Sequence, residues 1–95
     1  MATIGVLTLE MRLEHSRSLK DKRHVVRGLK DRLRRRFNVS VAEIDYQDLW
    51  QRALVAAVAV SPDHDYTRKL LESVEKEASL LLGADLVSAQ IEWLE

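Results

Sequence analysis

The segment from Ala53 to Val60 (ALVAAVAV) is apolar at every position and constrains the fold more than any other feature of the chain. A short run of this composition is typical of a strand that is apolar on both faces. Such a strand needs neighbours on both sides and a layer packed against at least one face, so we predict that it lies in the middle of a sheet. The chain has 95 residues, of which 46% are hydrophobic, and this is enough for one core. We therefore expect a single domain spanning residues 1–95.

Three other segments have the alternating pattern of half-buried strands. Apolar and polar residues alternate from Leu7 to Leu13 and from Val87 to Trp93, and Val39 to Ile44 is a half-polar segment of the same kind. The polar residues from Asp45 to Asp48 predict a turn before the central strand. The sequence thus contains four predicted strands.

Two segments have the spacing of amphipathic helices. The first follows Ser18, a favourable N-cap with Asp21 in the first turn, and ends at Asn38. The second begins around Pro62, with the proline in or near the first turn, and ends at Gly83. The predicted apolar faces are Leu19, Val26, Leu29, Leu33 and Phe37 in the first helix, and Leu70, Leu71, Val74, Ala78, Leu81 and Leu82 in the second.

The order of elements is therefore βαββαβ, which predicts an α+β, ferredoxin-like sandwich. We expect a four-stranded antiparallel-type sheet of order 4-1-3-2 with both helices on one face. Right-handed crossovers would place the first and third strands side by side and parallel. The helix-free face, here called the open sheet face, would expose an apolar strip that we expect to be covered in a homo-oligomer. That strip is either Val55, Ala57 and Ala59 or Leu54, Ala56, Val58 and Val60.

Positive charge is concentrated in the first helix. Residues 12–36 carry 11 Lys or Arg against three acids, although the formal net charge of the chain is zero. On a helix, five of these cations fall within an arc of about 80°, and we call them the basic stripe: Lys20, Arg23, Arg27, Lys30 and Arg34. Arg35 widens this surface, together with Arg32 and Arg36. A one-sided cationic face suits RNA phosphates, and a merely solvated helix flank is the alternative.

Two further groups of residues are candidates for a role. Lys22 lies in the apolar arc of the first helix, so either its stem crosses the core to reach water, or it binds an anion with Ser16, Ser18 and the free N–H groups of the first turn. Asp48, Trp50 and Arg52 lie at the junction of the second and third strands. We predict that Trp50 is a structural or interface residue, with ligand stacking as the alternative.

Several classes of function lack the residues that they need. The absence of cysteine excludes disulfides, thiolate zinc sites and cysteine nucleophiles. The three histidines lack metal-ligand spacing, the three glycines are isolated, and no catalytic constellation can be assembled. No apolar run reaches ~18 residues, and no export signal is recognisable. We expect a cytoplasmic protein that is not an enzyme and has no metal, cofactor or membrane partner.

Three blocks of sequence resemble the YlxP-like family of small bacterial proteins of unknown function: residues 18–23 (SLKDKR), 36–43 (RFNVSVAE) and 47–53 (QDLWQRA). The likeness extends over essentially the whole chain. It implies a ferredoxin-like fold, no established enzymatic activity, and genes often found beside those for a translation initiation factor and a ribosome-binding factor. The implied partner is RNA or a ribosomal particle. The alternative is an oligomeric protein-interaction or small-ligand regulatory domain that does not bind nucleic acid.

Overall fold

A computed structural model of the chain describes residues 1–94. The predicted βαββαβ order is confirmed. The elements are β1 (Thr3–Arg12), α1 (Leu19–Arg36), β2 (Ser40–Asp45), β3 (Arg52–Ser61), α2 (His64–Leu82) and β4 (Leu86–Leu94), with a 3-10 turn at Gly83–Asp85.

The four strands form one sheet of order β2-β3-β1-β4, which is the predicted order read from the other edge. The expected adjacency of β1 and β3 is confirmed, but the expected parallel direction is wrong. The two strands are antiparallel, with Leu7 opposite Ala57 and Leu9 opposite Val55. The reason is that the loop of residues 46–51 reverses the chain after β2, so that β3 is antiparallel to both of its neighbours. The crossover through α1 therefore joins β1 to β2, which is the strand parallel to it, and β3 is inserted between them.

The core lies between the helices and one face of the sheet. Leu7, Leu9 and Met11 of β1 point into it. From β3 the residues that do so are Ala53, Val55, Ala57 and Ala59. The central position predicted for β3 is thus confirmed. The open sheet face is formed on these two strands by Ile4, Val6, Thr8, Glu10, Leu54, Ala56, Val58 and Val60.

Helix α1 begins as its sequence predicts. The Oγ atom of Ser18 accepts a hydrogen bond from the backbone N of Asp21 at 3.0 Å, which is the N-cap contact. The helix packs against β2 and α2. Its buried residues are Lys22, Val26, Leu29 and Leu33.

Helix α2 begins slightly later than predicted. Its N-cap is Asp63, whose carboxylate accepts from the backbone N of Asp65, so Pro62 lies directly before the N-cap, near the first turn. Leu81 is also not part of the buried face: it is 46% exposed, because it lies one residue, or 100° of arc, from the buried Leu82. Gly83 ends the helix with a φ of 57°, a conformation that glycine adopts without strain.

Candidate functional site

Lys22 is completely buried, and its ammonium group is surrounded by acceptors. Its Nζ atom is 3.0 Å from Oε2 of Glu43. It also donates to the backbone carbonyl oxygens of Tyr46, Gln47 and Arg52 at 2.6, 3.2 and 3.3 Å. An ammonium group has three donors, so these four oxygens satisfy it fully. We call this arrangement the Lys22 node.

The Lys22 node contradicts both interpretations of Lys22 made from the sequence. The ammonium group does not reach water, and carbonyl and carboxylate oxygens occupy the positions that an anion would need. The two serines have other partners as well: Ser18 caps the helix, and the hydroxyl of Ser16 donates to the Ser18 carbonyl at 3.1 Å. These residues therefore stabilise the start of α1 and do not assemble an anion site.

The loop of residues 46–51, between β2 and β3, is anchored at both ends. Lys22 holds the carbonyls at its start. At its end, the side-chain amide of Gln51 donates to the carbonyls of Glu14 and Ser16 at 3.1 and 3.2 Å. The Gln51 carbonyl accepts from the backbone N of Leu13 at 2.9 Å. The three blocks that carry the family resemblance meet at the Lys22 node, through Lys22, Glu43 and the carbonyls of Gln47 and Arg52.

Arg52 is held on the open sheet face by its neighbours. Its Nη2 atom donates to Oε2 of Glu10 at 2.7 Å and to the hydroxyl of Tyr46 at 3.0 Å. The guanidinium carbon also lies 4.1 Å from the centre of the Tyr46 ring, a cation–π contact. The hydrogen bond to Glu10 raises the pKa of Arg52 above its ordinary value. These contacts agree with a structural role for Arg52.

Trp50 is not a core residue. Its side chain is 54% exposed and that of the adjacent Leu49 is 45% exposed, which leaves an interface or a ligand as the two interpretations of Trp50. Both residues line an open cleft of about 690 Å³, here called the Trp50 cleft. Its other lining residues are Arg12, Glu14, Asp48, Gln51 and Arg52.

The basic stripe lies on the flank of α1 that faces away from α2. Lys20, Arg23 and Arg27 are exposed, whereas Lys30 is half-buried. Arg34 differs from the others because its Nη2 atom donates to the Val41 carbonyl of β2 at 2.8 Å. It is also the arginine nearest to Asp31, at 3.9 Å. In residues 1–94, the ion pairs within 4.0 Å involve none of Lys20, Arg23, Arg27, Lys30 and Arg35.

The opposite flank of α1 is partly neutralised. Arg32 and Arg36 both contact Oε2 of Glu77 on α2, at 2.7 and 3.1 Å. These two arginines therefore widen the positive surface less than the sequence suggested, because the helix-to-helix contact brings one acid to both of them. In residues 1–94, Arg35 and the cations of the basic stripe other than Arg34 have no acid within 4.0 Å.

The three histidines do not meet. In the described part of the chain, no three His, Asp or Glu residues are grouped so that they could hold a metal ion. His64 instead stacks on Trp93, with ring centroids 4.0 Å apart. None of the helices in residues 1–94 has both the length and the apolar character needed to span a membrane.

Comparison with known proteins gives the family of the chain. The model of the family described as "Protein of unknown function (DUF503)" matches residues 4–91. The chain belongs to this family. It is also 41% identical over 71 residues to "Uncharacterized protein YlxP" of Bacillus subtilis (strain 168), covering 75% of this chain and 77% of that protein. The resemblance to YlxP-like proteins found in the sequence is therefore confirmed, and DUF503 carries no assigned activity.

Solved structures of similar shape confirm the fold class. The de novo designed protein Foldit4 has a TM-score of 0.61 at 10% identity, over 100% of this chain and 98% of the design. A second design, LFR1 1 with ferredoxin fold, has a TM-score of 0.50 at 14% identity, over 99% of this chain and 84% of the design. At such low identity the likeness concerns the fold alone.

Proposed function

We propose that this DUF503 protein is a non-enzymatic accessory protein that binds RNA, free or within a ribosomal particle, through the basic stripe of α1. One observation carries the proposal. Lys20, Arg23 and Arg27 are exposed on one flank of the helix without an acid partner in residues 1–94, whereas Arg32 and Arg36 on the other flank share Glu77. If the stripe were only a solvated helix flank, the cations without an acid partner would not need to be gathered on one side of α1.

The dimensions of the basic stripe suit a phosphate backbone. From Lys20 to Arg34 the helix rises about 21 Å, which spans several phosphates of a folded RNA. Arginine grips phosphate with two parallel hydrogen bonds, and three of the five stripe residues are arginines. The gene neighbourhood implied by the YlxP-like resemblance supports RNA of the translation apparatus as this polyanion.

The sheet is the less suitable RNA surface. RNA-recognition motifs, which share the βαββαβ order, stack bases on aromatic residues of the two central strands. Here β1 and β3 present Val6, Thr8, Ala56 and Val58 at the centre of the open sheet face. This part of the sheet has no aromatic platform, so we assign phosphate binding to α1.

The salt dependence of binding tests the proposal. If four or five cations contact phosphates, the logarithm of the affinity for a structured RNA should fall against the logarithm of salt concentration with a slope of about −3 to −4.5. Fluorescence anisotropy with a labelled RNA hairpin measures this slope. Absence of binding at low salt would contradict the proposal, as would an affinity that does not change with salt.

A second candidate function rests on a different surface. The open sheet face carries Ile4, Val6, Leu54 and Val58 with no helix over them, and Val60 at its end is 63% exposed. An uncovered apolar strip of this kind is typical of a protein-interaction surface. The protein would then be an oligomeric interaction or ligand-binding regulatory domain, and its self-association is tested below.

A further inference from the structure

We infer that the Trp50 cleft binds one unpaired nucleobase, stacked on the indole ring of Trp50, in an RNA whose phosphates lie on the basic stripe. The inference rests on the proposed RNA binding and narrows its ligand. The preferred RNA is a paired segment with an unpaired nucleotide beside it, rather than a continuous duplex.

Trp50 is displayed at a fixed position without serving the core. The anchors of the 46–51 loop are the Lys22 ammonium group and the amide and carbonyl of Gln51, and none of them involves the Trp50 side chain. Its indole and the side chain of Leu49 stay 54% and 45% exposed. A loop that is already ordered loses little conformational entropy on binding. Most of the free energy of stacking on Trp50 therefore contributes to the affinity for a ligand.

The chemistry of the cleft matches a nucleobase. Trp50 and Leu49 offer apolar surface for a planar ring, and stacking of a base on an aromatic side chain tolerates any sequence. Glu14 and Asp48 supply carboxylates that accept from exocyclic amino groups of bases. Arg12 is exposed beside them and can contact the phosphate or sugar of the same nucleotide.

The cleft and the basic stripe share one end of the molecule. Lys22 lies between Lys20 and Arg23 on α1, and its ammonium group contacts the first two carbonyls of the 46–51 loop. The N-terminal end of α1 is therefore next to the loop that carries Trp50, while Arg12 and Arg52 of the cleft lie on the side of the sheet away from the helices. An unpaired strand that leaves a paired segment at Lys20 would pass around this loop to reach the cleft.

Two RNAs and two variants test the inference: a blunt hairpin, the same hairpin with a short single-stranded overhang, Trp50→Ala and Trp50→Phe. Stacking of one base is worth about 1–3 kcal/mol, so the overhang should bind about 5- to 150-fold more tightly than the blunt hairpin. Trp50→Ala should remove this difference and leave the blunt affinity unchanged. Trp50→Phe should keep most of it, because the phenyl ring still stacks.

Fluorescence gives a second readout. In a Trp93→Phe background Trp50 is the remaining tryptophan, and its emission should be quenched by the overhang RNA and not by the blunt hairpin. Unchanged circular dichroism of each variant excludes unfolding as the cause. Failure to bind either RNA at low salt would overturn the proposed function itself. Binding of both RNAs with equal affinity would overturn only this inference, as would an oligomer that Trp50→Ala dissociates, since the cleft would then contact a second copy.

Discussion

Lys22 and Glu43 form a buried ion pair between α1 and β2, with Nζ and Oε2 separated by 3.0 Å. The Lys22 side chain is 1% exposed and that of Glu43 is 17% exposed, so water screens the pair very little. Oε2 of Glu43 is buried and makes no hydrogen bond of good geometry, which leaves the Lys22 charge as its compensation. A buried carboxylate without such compensation is strongly destabilising.

Replacing Lys22 should therefore destabilise the protein well beyond the loss of packing. We expect Lys22→Met to lower the free energy of unfolding by about 3–5 kcal/mol, because it leaves a buried carboxylate without its cation and removes a donor from three carbonyls. Urea denaturation measures this change. Glu43→Leu in the same chain should recover part of the loss by removing the unpaired charge. The control is Lys20→Met on the exposed flank, and a Lys22→Met variant as stable as this control would contradict the prediction.

Reversing charge on the basic stripe should weaken RNA binding without unfolding the protein. Arg23→Glu with Arg27→Glu is the sharpest double variant, because both side chains are exposed and neither makes an ion pair in residues 1–94, whereas Arg34 also holds the Val41 carbonyl. We expect the magnitude of the salt slope to fall by about 2, one for each lost contact. The matched control is Lys69→Glu with Lys76→Glu on α2. An equal loss in this control would indicate diffuse electrostatic attraction rather than a site.

Self-association should depend on the open sheet face. If two copies cover this face, sedimentation equilibrium at micromolar concentration should give a mass above the 10.9 kDa of one chain. Val58→Glu, which places a charge in the middle of the apolar strip, should then return the protein to a monomer. Leu80→Glu is the control, since Leu80 is 79% exposed on α2 and away from the sheet. A parent protein that sediments as a monomer would contradict the prediction.

Gly5 and Gly28 should respond in opposite directions to the same substitution. A Cβ atom at Gly5 would lie 2.6 Å from Cδ1 of Leu71 and 2.8 Å from Cζ3 of Trp93, so Gly5→Ala should destabilise the core by about 1–3 kcal/mol. A Cβ atom at Gly28 meets nothing within 4 Å on the exposed side of α1, so Gly28→Ala should stabilise the helix by about 0.5–1 kcal/mol. Thermal denaturation of the two variants compares them directly. A stabilising Gly5→Ala would mean that β1 and α2 separate more easily than their packing indicates.

The elements of this fold follow from the sequence because the interactions that specify them are local. The Ser18 cap reaches only three residues ahead, to Asp21. Gly83 ends α2 through its own backbone angle. The apolar periods of β1 and α1 are likewise visible in neighbouring residues. The sequence predicts the start of α2 only to within the segment Ser61, Pro62 and Asp63, because all three are plausible first-turn residues, and the capping hydrogen bond of Asp63 decides among them.

The direction of β3, the partners of Lys22 and the exposure of Trp50 depend on contacts between segments distant in sequence. Lys22 in the apolar arc of α1 is a visible signal in the sequence, yet the carbonyls that accept from it belong to residues 24 to 30 positions away, and its ion-pair partner Glu43 is also distant in sequence. Glu77 pairs with both Arg32 and Arg36, from 45 and 41 positions away. The sequence by itself determined which residues are cationic and which form the apolar faces of the helices and strands. The packing of α1 against α2 and β2 decided which of these charges stay unpaired, because ion pairing depends on distance in three dimensions.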